Sequence, residues 1–173
     1  EGIAVDSNGN AYVTGYFQGT ATFNSTSLTS SGSWHSDIFI AKLSSSGSWE
    51  WAVKAGGDTG NDRGFGIAVD SSNNVYVTGM FSGNATFGSI SLNATIGPQN
   101  QTRVNIFIAK LSSSGSCQWA VGAGDEELQY PSGAAIDVDS NGNAYVIGHF
   151  SYTVPFGNTS LNTTNQNSGD VDI

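Results

Sequence analysis

The chain has 173 residues, only 11% of them charged, with five Lys plus Arg against fourteen Asp plus Glu and a net charge of −9. That balance disfavours nucleic acid and anionic membrane as partners, since both carry the same sign, and no apolar run approaches the roughly 18 residues of a membrane span. Low charge with abundant Ser, Thr, Asn and 23 Gly is unusual for a cytosolic enzyme, while regularly placed Ile, Val, Phe, Tyr and Trp argue against disorder.

Four strands are expected in the first third of the chain: Gly2–Asp6, Ala11–Phe17, Asp37–Leu43 and Trp49–Gly56. Each is β-branched or aromatic and bounded by turn chemistry. Asn8-Gly9 supplies the positive φ of a tight hairpin between the first two strands, and Ser44–Gly47 joins the last two. Along the third strand Ile38 and Ile40 alternate with Phe39, Ala41 and Leu43, so both faces are apolar and both must be covered. In the fourth, Trp49, Trp51 and Val53 oppose Glu50, Ala52 and Lys54, the pattern of a strand nearer the edge. No stretch has helical periodicity, and the glycine content would penalise one.

The same elements then return. IFIAKLSSSGS occupies Ile38–Ser48 and again Ile106–Ser116, and GIAVDSNGNAYVTGYF from Gly2 is answered by GIAVDSSNNVYVTGMF from Gly66 and AAIDVDSNGNAYVIGHF from Ala134. Asp6, Asp70 and Asp139 are therefore equivalent, spaced 64 and 69 residues apart. The repeats are 1–65, 66–133 and a partial third, 134–173. Length changes collect in a Ser/Thr/Asn-rich excursion after Phe23, Phe87 and Phe156, which reads as a surface hairpin added to each repeat. Both chain ends fall inside the pattern, as expected of a window on a longer repeat protein.

Four antiparallel strands per repeat, with apolar faces stacked on neighbouring repeats, is the logic of a propeller blade, and fewer than four blades leave the ring open. The segments GIAVDSNGNAYVTGYF, DIFIAKLSSSG and WAVKAGG resemble the bacterial and archaeal SBBP beta-propeller repeat family. The resemblance implies a secreted or surface-associated propeller with few defined activities. The added excursion departs from the usual pattern.

Six Asn-x-Ser/Thr sequons, at Asn24, Asn84, Asn93, Asn100, Asn158 and Asn162, all lie between the second and third main strands of their repeats, where N-linked glycans would find exposed loops. Asp6-x-Asn8-x-Asn10 and Asp139-x-Asn141-x-Asn143 have the oxygen spacing that opens a calcium loop, but Tyr, Val and Thr or Ile follow where calcium needs a further carboxylate. They read as hairpin turns, and the acidic run 125–127 reads as a hydrated loop. His35 and His149 have no second ligand at zinc spacing, and no nucleophile elbow or carboxylate pair stands out. Cys117 takes the place of Trp49 and reads as a packing position.

Tyr12, Tyr76, Tyr145, Trp51 and Trp119 recur in register and are expected to serve the fold, whereas Trp34 has no aromatic counterpart and is the candidate contact residue. The expectation is an extracellular or cell-surface structural module of a layer, sheath or filament, without catalysis, cofactor or metal. It would associate with itself or with neighbouring repeats through β faces and strand edges. A propeller binding carbohydrate or protein is the alternative.

Overall fold

The computed structural model describes residues 1–94, 103–124, 132–150 and 153–162, and every regular element among them is a strand. The first repeat contributes β1 (Gly2–Val5), β2 (Ala11–Phe17), β3 (Thr20–Phe23), β4 (Thr26–Thr29), β5 (Asp37–Leu43) and β6 (Trp49–Gly56). The second contributes β7 (Arg63–Val69), β8 (Val75–Ser82), β9 (Asn84–Phe87), β10 (Ile90–Asn93), β11 (Val104–Leu111) and β12 (Cys117–Gly124). The third contributes β13 (Ser132–Val138), β14 (Ala144–His149), β15 (Thr153–Phe156) and β16 (Thr159–Asn162). The four main strands expected for the first repeat are β1, β2, β5 and β6, and the excursion forms the added hairpin in all three repeats.

Each complete blade is an antiparallel meander, in the order β1-β2-β5-β6 and then β7-β8-β11-β12, while β13-β14 opens the third. Together they form an all-β, propeller-like stack, and the described strands do not close into a ring. The register is repeated as faithfully as the sequence: Ala11↔Leu43 through Phe17↔Asp37 in the first blade matches Val75↔Leu111 through Phe81↔Asn105 in the second. Even the bulges recur, at Lys42/Leu43 and Lys110/Leu111 between the outer strands.

The excursion hairpins are two-residue turns whose first central residue lies in the left-handed region: Asn24 (φ 56°), Gly88 (φ 62°) and Gly157 (φ 59°). Asparagine and glycine are the residues that accept this conformation, which explains why these types alternate there. The hairpin β9-β10 is more than decoration. It adds to the outer edge of the preceding blade, with Ala55↔Phe87 and Gly56↔Thr86 extending that sheet to six strands. Phe87 then packs against Phe107 of its own blade, ring centroids 4.8 Å apart, so the hairpin bridges two repeats.

The largest core cluster lies between the first two blades. Tyr12, Ile38 and Ile40 from one face and Ile67, Val75, Val77, Phe107 and Leu111 from the other are all below a tenth exposed. Burying each such side chain contributes about 1.5–3 kcal/mol, so the joint between blades carries most of the hydrophobic stabilisation.

Candidate functional site

The chemistry of this chain is concentrated where one repeat meets the next. At the first joint Ile67 enters the cluster built on Tyr12, and at the second Ile136 enters the cluster built on Ala68 and Tyr76. Their equivalent in the first repeat, Ile3, is 68% exposed, against 7% and 9% for Ile67 and Ile136. The receiving side behaves the same way: Tyr12 and Tyr76 are 0% exposed, and Tyr145 is 61% exposed. One end of the described stack thus presents an entering face, Ile3 and Val5, and the other a receiving face, Tyr145 and Ile147.

Close approach of the backbones depends on small residues. A Cβ on Gly64 would collide with Thr14 Oγ1, and one on Gly133 with Thr78 Oγ1, so the same Thr–Gly contact recurs at both joints. The two threonine hydroxyls donate to Phe39 O at 3.0 Å and Phe107 O at 2.8 Å, which keeps a buried polar group satisfied at each contact. The innermost strands bulge in equivalent places, at Gly64/Gly66 and Gly133/Ala135.

The Asp-turns sit beside these joints. Asp6 Oδ1 accepts the backbone N–H of Asn8 and Asn10, both at 2.9 Å, and Oδ2 accepts the Asn10 amide at 2.9 Å and the Tyr12 hydroxyl at 3.2 Å. Asp70 and Asp139 repeat the arrangement with Asn74 and Tyr76, and with Asn143 and Tyr145. The Asn10 amide is the chief reason that the Asp6 carboxyl lies below its ordinary range, and Asn143 does the same for Asp139. At Asp70 burial pulls upward, yet the Asn74 bonds and turn amides outweigh it. The oxygens that resembled a calcium loop are directed at donors of their own turn. They lock the turn and orient the tyrosine that receives the next repeat.

The aromatic positions serve the joints as well. Tyr12 and Trp51 lie 6.2 Å apart, as do Tyr76 and Trp119, with Lys42 and Lys110 over the respective tyrosine faces. Cys117 packs against the first core cluster, and burial pushes its thiol up. Trp34, between β4 and β5, is 85% exposed. Of the sequons, Asn24, Asn84, Asn93, Asn158 and Asn162 are exposed on the hairpins, while Asn100 and the acidic run 125–127 lie outside the described residues. Among the described residues no group of three or more His, Cys, Asp or Glu is placed to hold a metal ion.

Sequence reading did not pick out Asp37 and Asp62, which are fully buried beside one another at the first joint. The available signal was that Asp37 has Asn105 as its counterpart, and Lys54 has Gly122, so a charged cluster exists in one repeat and not in the next.

The comparisons agree with this architecture. The family described as Beta-propeller repeat, SBBP, matches residues 1–16 and 50–80, which cover β1 and most of β2 in the first repeat and β6 through β8 at the first joint. No curated protein matches the chain. The matched residues are those that build the recurring Asp-turn and the inner strands, and over these two segments the chain is similar to the SBBP beta-propeller repeat.

Proposed function

We propose that the chain is a non-catalytic structural repeat module of an extracellular surface layer, sheath or filament, assembling by covering the face of one repeat with the next. The observation that supports this most is the equivalence of Ile3, Ile67 and Ile136: two are buried by a neighbouring repeat and the third stands open. The Tyr145 face is open in the complementary sense. Apolar faces that recur at buried joints are associative surfaces when exposed. The partner in this reading is another repeat of the same kind, in the same polypeptide or in another copy.

Low charge and the hairpins favour an outer surface bearing N-linked glycans at Asn24, Asn84, Asn93, Asn158 and Asn162, whose side chains are exposed. Occupied sequons would appear as a mass decrease on glycosidase treatment of the native protein.

A second reading, binding of carbohydrate or protein by a secreted propeller, is favoured by two features. Trp34 is 85% exposed, and a cleft of about 530 Å³ opens between the repeats, lined by Val53, Lys54, Ser89, Ser116 and Cys117 among others. Electron imaging of the native material separates the readings. Regular fibres or sheets support assembly; discrete particles that retain glycans from an array support the binding module and count against assembly.

A further inference from the structure

Among the described residues, the first joint contains a charged cluster without a counterpart at the second. Asp37 on β5 and Asp62 in the link from β6 to β7 are each 0% exposed. Asp37 Oδ2 is fully engaged, accepting from Ser31 N at 2.9 Å, Ser31 Oγ at 3.0 Å and Lys54 Nζ at 3.0 Å. Asp37 Oδ1 is buried and has no partner. Asp62 Oδ1 accepts Ser82 N–H at 2.9 Å and Oδ2 accepts Gly57 N–H at 2.8 Å, while its own N–H donates to Ser36 O at 2.9 Å. Asp62 therefore ties the end of the first blade to β8 of the second.

The two carboxyl groups meet over Gly56, a residue at φ 139° where no side chain intervenes. A Cβ there would lie 2.7 Å from Asp62 Oδ2 and 2.9 Å from Asp37 Oδ1, so the two oxygens are no further apart than the sum of those distances. Two ionised carboxylates buried side by side repel, and a proton kept on Asp62 relieves that repulsion. Burial, followed by the charge of Asp37, pushes the Asp62 carboxyl up to about 7 against the two backbone N–H bonds that favour its ionised form.

The other charged groups of the neighbourhood do not remove this conflict. Lys54 is committed to Asp37 Oδ2 and is 37% exposed along its side chain. Arg63, next in the chain, lies over the Tyr16 ring at 4.5 Å. Arg103 is buried, its Nε and Nη1 without a hydrogen-bond partner, and its carbonyl oxygen takes Gly83 N–H at 3.3 Å, while Asp58 and His35 lie on loops. In the second repeat Asn105 stands at the Asp37 position, Gly122 at the Lys54 position and Pro131 at the Asp62 position.

We propose that Asp62, buried beside Asp37 at Gly56, makes the first inter-repeat joint a pH-sensitive catch, closed while Asp62 keeps its proton and loosened when it ionises. The device deepens no assembly claim and stands whether or not the chain polymerises. It is tested on the full chain by amide hydrogen exchange at Gly57 and Ser82, corrected for intrinsic rate, together with the carboxyl ¹³C shift of Asp62 between pH 5 and 9. Protection at both amides is expected to fall by up to about tenfold per pH unit from pH 5 to about 7 and then to level, with the Asp62 shift titrating near 7. Asp62→Asn, which mimics the protonated acid, should hold protection constant over that range, and Asp37→Asn, which leaves Asp62 buried, should only move the levelling to lower pH. An Asp62 shift that is complete below pH 5, or a protection profile in Asp62→Asn that still falls like the wild type, would overturn the proposal. The ¹³C titration of the wild type decides the matter even if either variant folds poorly.

Discussion

Trp51 of the first repeat reaches across the joint and donates its indole N–H to Ser113 O of the second at 3.0 Å. Its ring also lies under Gly115, where an added Cβ would come within 3.0 Å of it. The equivalent Trp119 is 37% exposed. Trp51→Phe is expected to lower unfolding free energy by about 1 kcal/mol for the lost hydrogen bond, and Trp51→Ala by about 3 kcal/mol. Trp119→Phe should change it by less than about 0.5 kcal/mol. Urea unfolding followed by circular dichroism checks the ranking.

The approach of the inner strands sets a steric limit. A Cβ on Gly66 would meet Ala135 Cα at 2.8 Å and Ile136 N at 3.0 Å, both backbone atoms that cannot move aside. Gly66→Val is therefore expected to cost about 3 kcal/mol through overpacking. It should selectively expose the β13-β14 hairpin to proteolysis while the first joint stays protected.

The strands, the repeat and the added hairpin were legible in the sequence because they rest on local chemistry: alternation along Ile38–Leu43, Asn-Gly at turns, and recurrence of Asp6 as Asp70 and Asp139. The exposed position of Trp34 was legible for the same reason, since an aromatic without a counterpart has no repeated packing role. What was not legible depends on non-local register. That β9 would add to β6 requires knowing how two blades sit together, and the Asp37–Asp62 pair is 25 residues apart in sequence with neither residue in a recurrent motif. The turn aspartates showed their spacing but not that Asn10 and Tyr12 would occupy the oxygens a cation might have used.

Stability should respond to pH with two opposite limbs. Asp6, Asp70 and Asp139 have folded values below the ordinary one, so the stability they contribute is present above about pH 4 and is lost as pH falls through their folded values. Asp62 is the reverse: its folded value is raised to about 7, the folded chain binds the extra proton, and stability falls as pH rises from about 4 to 7 before levelling. The urea midpoint should pass through a maximum in mild acid. Asp62→Asn should flatten the upper limb and leave the acid limb; Asp70→Asn should weaken the acid limb alone.

Trp34, 85% exposed, makes no core contact that would register in stability. Trp34→Ala should leave unfolding free energy within about 0.5 kcal/mol of the wild type. Acrylamide should quench its fluorescence more readily than that of Trp51, measured in single-tryptophan variants.

The central claim is that exposed repeat faces associate as the buried ones do. Sedimentation velocity of the wild type and Ile3→Glu across a hundredfold concentration range tests it most directly, because Ile3 is 68% exposed and its replacement has little folded-state cost. The wild type is expected to grow with concentration while Ile3→Glu remains at the 17.9 kDa of one chain. A wild type that sediments as a single chain throughout, indistinguishable from Ile3→Glu, would contradict it.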